Sequence, residues 1–299
     1  MLDVVIIGSG PAGITAAIYA KRANLNVAVV EKEYLGTGQI AESSRVDNYP
    51  GIPGIDGYSL GEKFREHAES LGVEFTEAQV LSLGQKDGIW IIGCDEDITL
   101  ESKAVIYATG CKNRPLGVPG EEKYYGRGLS FCAVCDGAFY KGKSVAVIGG
   151  GDTALDDAMY LSDICEKVYL VHRREFFRGS ASTLEKLKQK ENVEIIVNVR
   201  VEEITGDKKI DGIILDNKTK LNISGLFAAV GMIPQTELLK EFGVLDESNY
   251  VKASEDTKTT VNGLFAAGDV RTKQLRQVVT AAADGANAIY SVMEYLRNI

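Results

Sequence analysis

Cys132-Ala133-Val134-Cys135, followed at once by Asp136-Gly137, places two thiols and a carboxylate within a single short stretch. Two cysteines at this spacing can close a small-ring disulfide that an incoming thiolate or a reduced flavin can open, and the acid beside them can move the proton such an exchange requires. The same pair could form half of a zinc site, but tetrahedral zinc asks for two further ligands. The chain has only two histidines, and Cys94, Cys111 and Cys165 show no second paired spacing, so they read as small apolar fillers. His67 reads as a surface or structural residue of a helical stretch over 60–71, and Asp156 and Asp157 as part of a solvated helix face.

The elements that must position this dithiol follow from two glycine-rich turns. An apolar β-branched run predicts a strand over 4–7, which ends in Gly8-Ser9-Gly10-Pro11-Ala12-Gly13, with an Ala-rich helix over 14–23 and a strand over 27–30 behind it. The order recurs as a strand over 145–148, then Gly149-Gly150-Gly151-Asp152-Thr153-Ala154, a helix over 155–162 and a strand over 168–171. The copies align without a gap at an offset of 141, which puts Gly8 on Gly149, Gly10 on Gly151 and Tyr19 on Tyr160. In such a βαβ unit the glycines permit a tight turn and close approach of a pyrophosphate to the free N–H groups of the helix start. The residue that ends the second strand chooses the nucleotide. In the first copy it is Glu31, 23 residues after Gly8, a carboxylate able to accept from ribose hydroxyls, which predicts a dinucleotide without a 2'-phosphate. In the second it is His172, again 23 residues on, followed by Arg173, Arg174 and Arg178. Donors and positive charge there suit a 2'-phosphate, hence NADPH.

Each half also carries an antiparallel stretch, a solvent-facing hairpin region over 74–100 with the only Trp at 90, and its counterpart over 193–223. A last strand and Gly turn over 263–269 leads to a helix from about residue 277, which returns to complete the first unit. The expected fold is therefore α/β, two Rossmann-like dinucleotide-binding domains of the three-layer ββα type with the second inserted into the first. Residues 1–112 with 236–299 form one domain, and residues 113–235 form the domain that carries the dithiol.

A length of 299 residues suits two domains, and 45% hydrophobic with 25% charged residues is an ordinary globular balance, which excludes global disorder. A net charge of -9 has the wrong sign for wrapping nucleic acid or anionic lipid. No apolar run approaches a membrane span, and the strand starting at Asp3 leaves no room for a signal peptide, so a cytoplasmic location is expected. In that reducing compartment a disulfide is expected to be transient and catalytic.

Together these motifs resemble the low-molecular-weight thioredoxin reductases along essentially the whole chain: GSGPAG, GQI at 38–40, VDNYPG at 46–51, ATG at 108–110, CAVCDG, GGGDTA, HRREFFR and AAGDVRTKQLRQVVTAAADG. The resemblance implies FAD in the first domain, NADPH in the second, a homodimer, and thioredoxin or a thioredoxin-like protein as partner. It implies that Cys135 faces the flavin, that Cys132 attacks the partner and that Asp136 is the acid/base. By the same likeness Gly38, Gln39, Asn48, Thr109, Gly110, Gly268, Asp269, Arg276 and Gln277 hold FAD, and Arg127, Phe139 and Tyr140 flank the dithiol where the partner is met. Thr37 departs from the family's usual Gly, as in GGQ. A peroxiredoxin-reducing flavoprotein would carry an extra N-terminal thioredoxin-like region, a ferredoxin-NADP reductase would lack the CxxC, and a non-catalytic redox sensor would carry an output module. The dithiol and the second nucleotide turn fall on the same inserted segment, so they are expected to reach the flavin in turn.

Overall fold

The opening β-branched run forms β1 (Leu2–Ile7), and α1 (Pro11–Arg22) and β2 (Val27–Glu31) follow; β1 pairs in parallel with β2. The computed structural model describes residues 1–33, 37–43 and 45–299. Gly8 takes φ +106, and a Cβ on it would lie 2.5 Å from the Ala108 oxygen; one on Gly13 would lie 1.9 Å from the Gly8 oxygen. These two contacts are why helix, turn and sheet can pack so closely. Beyond a 3-10 turn at Gly38–Glu42 come α2 (Gly57–Ser70), β3 (Glu74–Glu77), β4 (Val80–Lys86), β5 (Ile89–Cys94), β6 (Thr99–Tyr107) and the short β7 (Cys111–Asn113).

The chain divides into two units, Met1–Lys112 with Ile233–Ile299, and Asn113–Met232. In the first unit the sheet runs β3, β2, β1, β6, β5, β4. The expected hairpin over 74–100 is thereby corrected in two respects. Glu74–Glu77 is a parallel edge strand on β2, leaving β4 and β5 as the antiparallel hairpin. Trp90 does not face solvent: it is fully buried among Val105, Leu239, Val251 and Leu264, because one face of the hairpin covers the central strands.

The second unit opens with β8 (Leu129–Ser130) and the single turn α3 (Ala133–Asp136), then β9 (Ser144–Gly149), α4 (Asp152–Ser162), β10 (Lys167–His172), α5 (Ala181–Lys188) and β11 (Val193–Val197). An antiparallel sheet of β12 (Val201–Gly206), β13 (Ile210–Leu215) and β14 (Lys220–Asn222) precedes β15 (Gly225–Ala229). The main sheet runs β11, β10, β9, β15, β8, all parallel. Val193 therefore begins a parallel strand and not the antiparallel layer expected from residue 193. The chain leaves through β16 (Met232–Pro234), which pairs with β7.

Back in the first unit, β17 (Leu264–Ala266) adds to β6 in parallel and α6 (Val278–Leu296) lies on α1, where a Cβ on Gly285 would come 2.2 Å from the Ala12 oxygen. The returning segment thus completes this unit's sheet and helix layer. Among the described residues no helix is long and apolar enough to cross a membrane.

A buried ion cluster ties α6 to the turn after β17. Asp284 is 4% exposed, and it accepts from Arg271 Nη2 at 2.6 Å, Lys273 Nζ at 2.9 Å and the Gly268 N–H at 2.9 Å. Burial pushes its pKa up, but the hydrogen bonds from Arg271 and Lys273 outweigh that and hold it below the usual 3.8. A carboxyl depressed on folding stabilises above its unfolded pKa and loses that contribution as pH falls through the folded value. Asp284→Asn strands two buried cations, so it should lower the unfolding free energy by about 3–5 kcal/mol at pH 7 in urea melts. The gap from wild type should narrow on acidification.

Candidate active site

The dithiol turn grows out of the sheet of the second unit. β8 pairs with β15 so that Ser130 lies opposite Phe227, and two residues later Cys132 caps α3. Cys132 and Cys135 form a disulfide with Cα atoms 5.3 Å apart, and Cys132 Sγ accepts from the Cys135 N–H at 3.1 Å. Ala133, fully buried with Ala154, Leu155, Ala158 and Leu161, pins the turn against α4. Gly137 is required by the same packing, since a Cβ there would lie 2.8 Å from the Tyr160 ring. Around this anchor Val134 is 55% and Phe139 39% exposed, so the bridge is presented on an apolar rim. Asp136 is held by the Ser130 hydroxyl, which donates to its Oδ2 at 2.6 Å. Burial raises the Asp136 pKa, and that hydrogen bond opposes the rise. A carboxyl poised toward neutrality beside a disulfide is equipped to give and take a proton.

The two nucleotide turns share a feature that separates a cradle from a packed loop. Gly10 caps α1, and among the described residues a Cβ on it would find its nearest neighbour, the Thr37 oxygen, only at 3.8 Å; Gly151 caps α4 and has none of them within 4 Å. At both helix starts the middle motif glycine faces open space, as the approach of a pyrophosphate needs. Pro11, Ala12 and Gly13 continue the first turn into α1; Asp152, Thr153 and Ala154 continue the second into α4. Asp152 Oδ1 accepts from the Ser180 N–H at 2.7 Å, which folds the arginine loop toward its turn.

At the end of β2, Glu31 is 3% exposed; its Oε1 pairs with Arg65 and its Oε2 has no partner among the described residues. Arg65 also donates to Glu69 at 2.8 Å and stacks on Phe75 at 4.0 Å. Neither the type nor the spacing of Arg65 in the sequence announces this, because it arrives from α2, 34 residues on. A buried carboxylate oxygen left over after an ion pair is an acceptor in want of a donor, and ribose hydroxyls are donors. Asp269 offers a second such atom. Its Oδ1 has no partner among the described residues, and burial raises its pKa against the pull of Lys273 and Arg276. Asn48 donates to Gln277 Oε1 at 2.9 Å, and Arg276 stacks over Tyr250 at 4.2 Å while its Nε donates to the Asp269 carbonyl. Gly110 and Thr109 bond the returning chain at Gln235, and Gly268 has φ +80. Gly38, at φ +76, approaches Gly10, with Gln39 half-buried beside it. Thr37, the departure from GGQ, is accommodated because Gly61 of α2 leaves room: a Cβ on Gly61 would lie 2.6 Å from the Thr37 side chain. These residues fit a dinucleotide such as FAD.

At the end of β10 the arrangement differs from a simple swap of charge. Arg173, Arg174 and Arg178 are exposed, but the His172 ring lies against Gly150 and its Nε2 is 3.2 Å from the Phe176 carbonyl. Burial, with the three arginines, lowers the His172 pKa. The histidine is thus a neutral packing piece of the loop, and the three guanidinium groups carry the charge. The Arg178 N–H bonds the Gly150 carbonyl at 2.7 Å, which draws the cluster to the open turn at Gly151. That is a fit for a nucleotide bearing an extra phosphate.

Known proteins agree with this geometry. The chain is 39% identical over 303 residues to the "34.2 kDa protein in rubredoxin operon" of Clostridium pasteurianum, covering 99% of this chain and 97% of that protein. It is 38% identical over 305 residues to the thioredoxin reductase of Bacillus subtilis, covering 99% and 95%. The crystal structure of thioredoxin reductase from Streptococcus pyogenes superposes with a TM-score of 0.94 at 40% identity, covering 100% and 99%. Residues 2–285 match the family model described as pyridine nucleotide-disulphide oxidoreductase. With that match spanning nearly the whole chain, the protein belongs to the pyridine nucleotide-disulphide oxidoreductase family.

Proposed function

We propose that this chain is an NADPH-dependent thioredoxin reductase, a flavoenzyme that passes electrons through the Cys132–Cys135 pair to the disulfide of thioredoxin or a thioredoxin-like protein. The observation that carries the reading is a closed CxxC bridge followed at once by a half-buried carboxyl, in the unit that also bears the nucleotide turn with its neighbouring arginines. Met1–Lys112 with Ile233–Ile299 is the FAD-binding domain, and Asn113–Met232 the NADPH-binding domain. Glu31 Oε2 receives the adenosine ribose of FAD, the N–H groups at Gly10–Gly13 its pyrophosphate, and Asn48, Asp269, Arg276 and Gln277 the remainder. Arg173, Arg174 and Arg178 receive the 2'-phosphate of NADPH, and the turn from Gly149 to Ala154 its pyrophosphate. Bound FAD supplies the two-electron relay between NADPH and the disulfide.

In the reduced chain Cys132 gives its proton to Asp136 and attacks a sulfur of the partner's disulfide. A Cys132–partner bond forms, the partner's bond breaks, and the leaving sulfur takes the proton back from Asp136. Cys135 then attacks the Cys132 sulfur, the Cys132–partner bond breaks, and the proton lost by Cys135 passes to the partner's departing sulfur, which reforms the bridge and frees the partner's second thiol. Because dithiol and NADPH site share one domain, they visit the flavin in turn. The working enzyme is a homodimer in a reducing cytoplasm. Purified holoenzyme should oxidise NADPH in proportion to added oxidised thioredoxin, with two thiols formed per NADPH. NADPH consumption that ignores thioredoxin and yields no thiols would refute the proposal.

A further inference from the structure

We propose that Ser130 is a positioning residue which, through one hydroxyl, fixes Asp136 and the backbone of Cys132 in register for proton transfer at the dithiol. The inference rests on the reading of the dithiol given above. Ser130 is 6% exposed and is the last residue of β8, paired in the sheet opposite Phe227, so the sheet holds its backbone in place. Its Oγ lies 2.6 Å from Asp136 Oδ2, 3.1 Å from Cys132 N and 3.3 Å from Cys132 O. A serine hydroxyl has one proton to give and two lone pairs to accept with. A carboxylate at 2.6 Å outcompetes the longer carbonyl contact for that proton, while the Cys132 N–H points its own at the oxygen. One lone pair of Oδ2 is therefore taken by the scaffold, which fixes the carboxyl while its remaining lone pairs stay available for a proton.

None of the three contacts involves Cys132 Sγ, so opening the bridge does not itself require any of them to break. The balanced step it serves is the one already written: Cys132 S–H to Asp136, sulfur attack, and return of the proton to the partner's leaving sulfur. The other groups near Asp136 do not replace Ser130. Tyr140 feels the carboxylate charge, Lys143 is spent on the Phe139 carbonyl, and α4, packed on this turn, contributes the Tyr160 ring against Gly137 and carries Asp156 and Asp157. The hydroxyl supports the charged carboxylate against burial, so its removal should favour the neutral acid.

The test uses the full holoenzyme with Ser130→Ala and Ser130→Thr. The titration of the Asp136 carboxyl is followed by infrared difference spectra of the oxidised protein, with its band assigned by loss in Asp136→Asn. Ser130→Ala should move the midpoint to higher pH, and Ser130→Thr should restore it. In turnover, Ser130→Ala should lose about tenfold or more in kcat/KM for thioredoxin, with the acid limb of the profile moved up in pH. Reduction of the flavin by NADPH should be unchanged. An unmoved midpoint overturns the inference, as does equal loss of NADPH-to-flavin reduction, which would make Ser130 a mere prop. If wild type fails to reduce thioredoxin while the midpoint still follows Ser130, the functional reading falls and the positioning role stands.

Discussion

Cys135→Ser and Cys132→Ser should each reduce thioredoxin turnover to the uncatalysed background, but they should fail at different steps. Without Cys135 the bridge cannot form, and the thiol proposed to meet the flavin is gone, so electrons should stay on FAD after NADPH has delivered them. Without Cys132 the flavin-facing sulfur remains, and as a thiolate beside oxidised FAD it should give a long-wavelength charge-transfer band. Stopped-flow spectra separate the two outcomes. The division of roles within the pair is the one that the resemblance to the low-molecular-weight thioredoxin reductases implies; both cysteines lie in one short turn, the first capping α3 and the second donating its N–H to the first sulfur. Full disulfide reductase activity in either variant would remove the dithiol from the mechanism.

The second large effect concerns the choice of hydride donor. Arg173 and Arg174 are exposed just after β10, and with Arg178 they are proposed to receive the 2'-phosphate of NADPH. A hydrogen bond to a charged group is worth about 1.5 to 3 kcal/mol, so loss of one phosphate contact should cost about 10-fold to 150-fold in kcat/KM for NADPH. The Arg173→Ala and Arg174→Ala double variant should show at least that loss, with NADH little affected. Because both side chains are solvated, the wild-type preference should also weaken as salt is raised. A double variant with its NADPH preference intact would show that the cluster does not read the 2'-phosphate.

Much of this was legible in residue order, for reasons that differ from one site to the next. The repeat at an offset of 141 exposes the two βαβ units because strand, turn and helix each impose their own period on the chain. Glu31 could be named because strand length fixes what ends β2. His172 occupies the equivalent place, yet counting positions says nothing about packing. The signal was Gly150, whose missing side chain makes room for the imidazole. Trp90 was expected to face solvent, and the period of its strand alone does not say which side the hairpin turns inward. Glu74 and Val193 begin parallel strands, since pairing partners depend on sheet order that local sequence does not encode. Arg65 and Ser130 were silent for a related reason. Each acts through a partner brought to it by tertiary structure, Arg65 on Glu31 from another element and Ser130 on Asp136 across the dithiol turn.

The central claim is that flavin and dithiol form one electron path. Anaerobic titration of the holoenzyme with a chemical reductant measures it by counting the equivalents taken up before excess reductant appears. Wild type should accept one electron pair for FAD and one for the Cys132–Cys135 bridge, and the Cys132→Ser/Cys135→Ser double variant should accept the flavin's pair alone. Equal capacity in the two proteins would contradict the account.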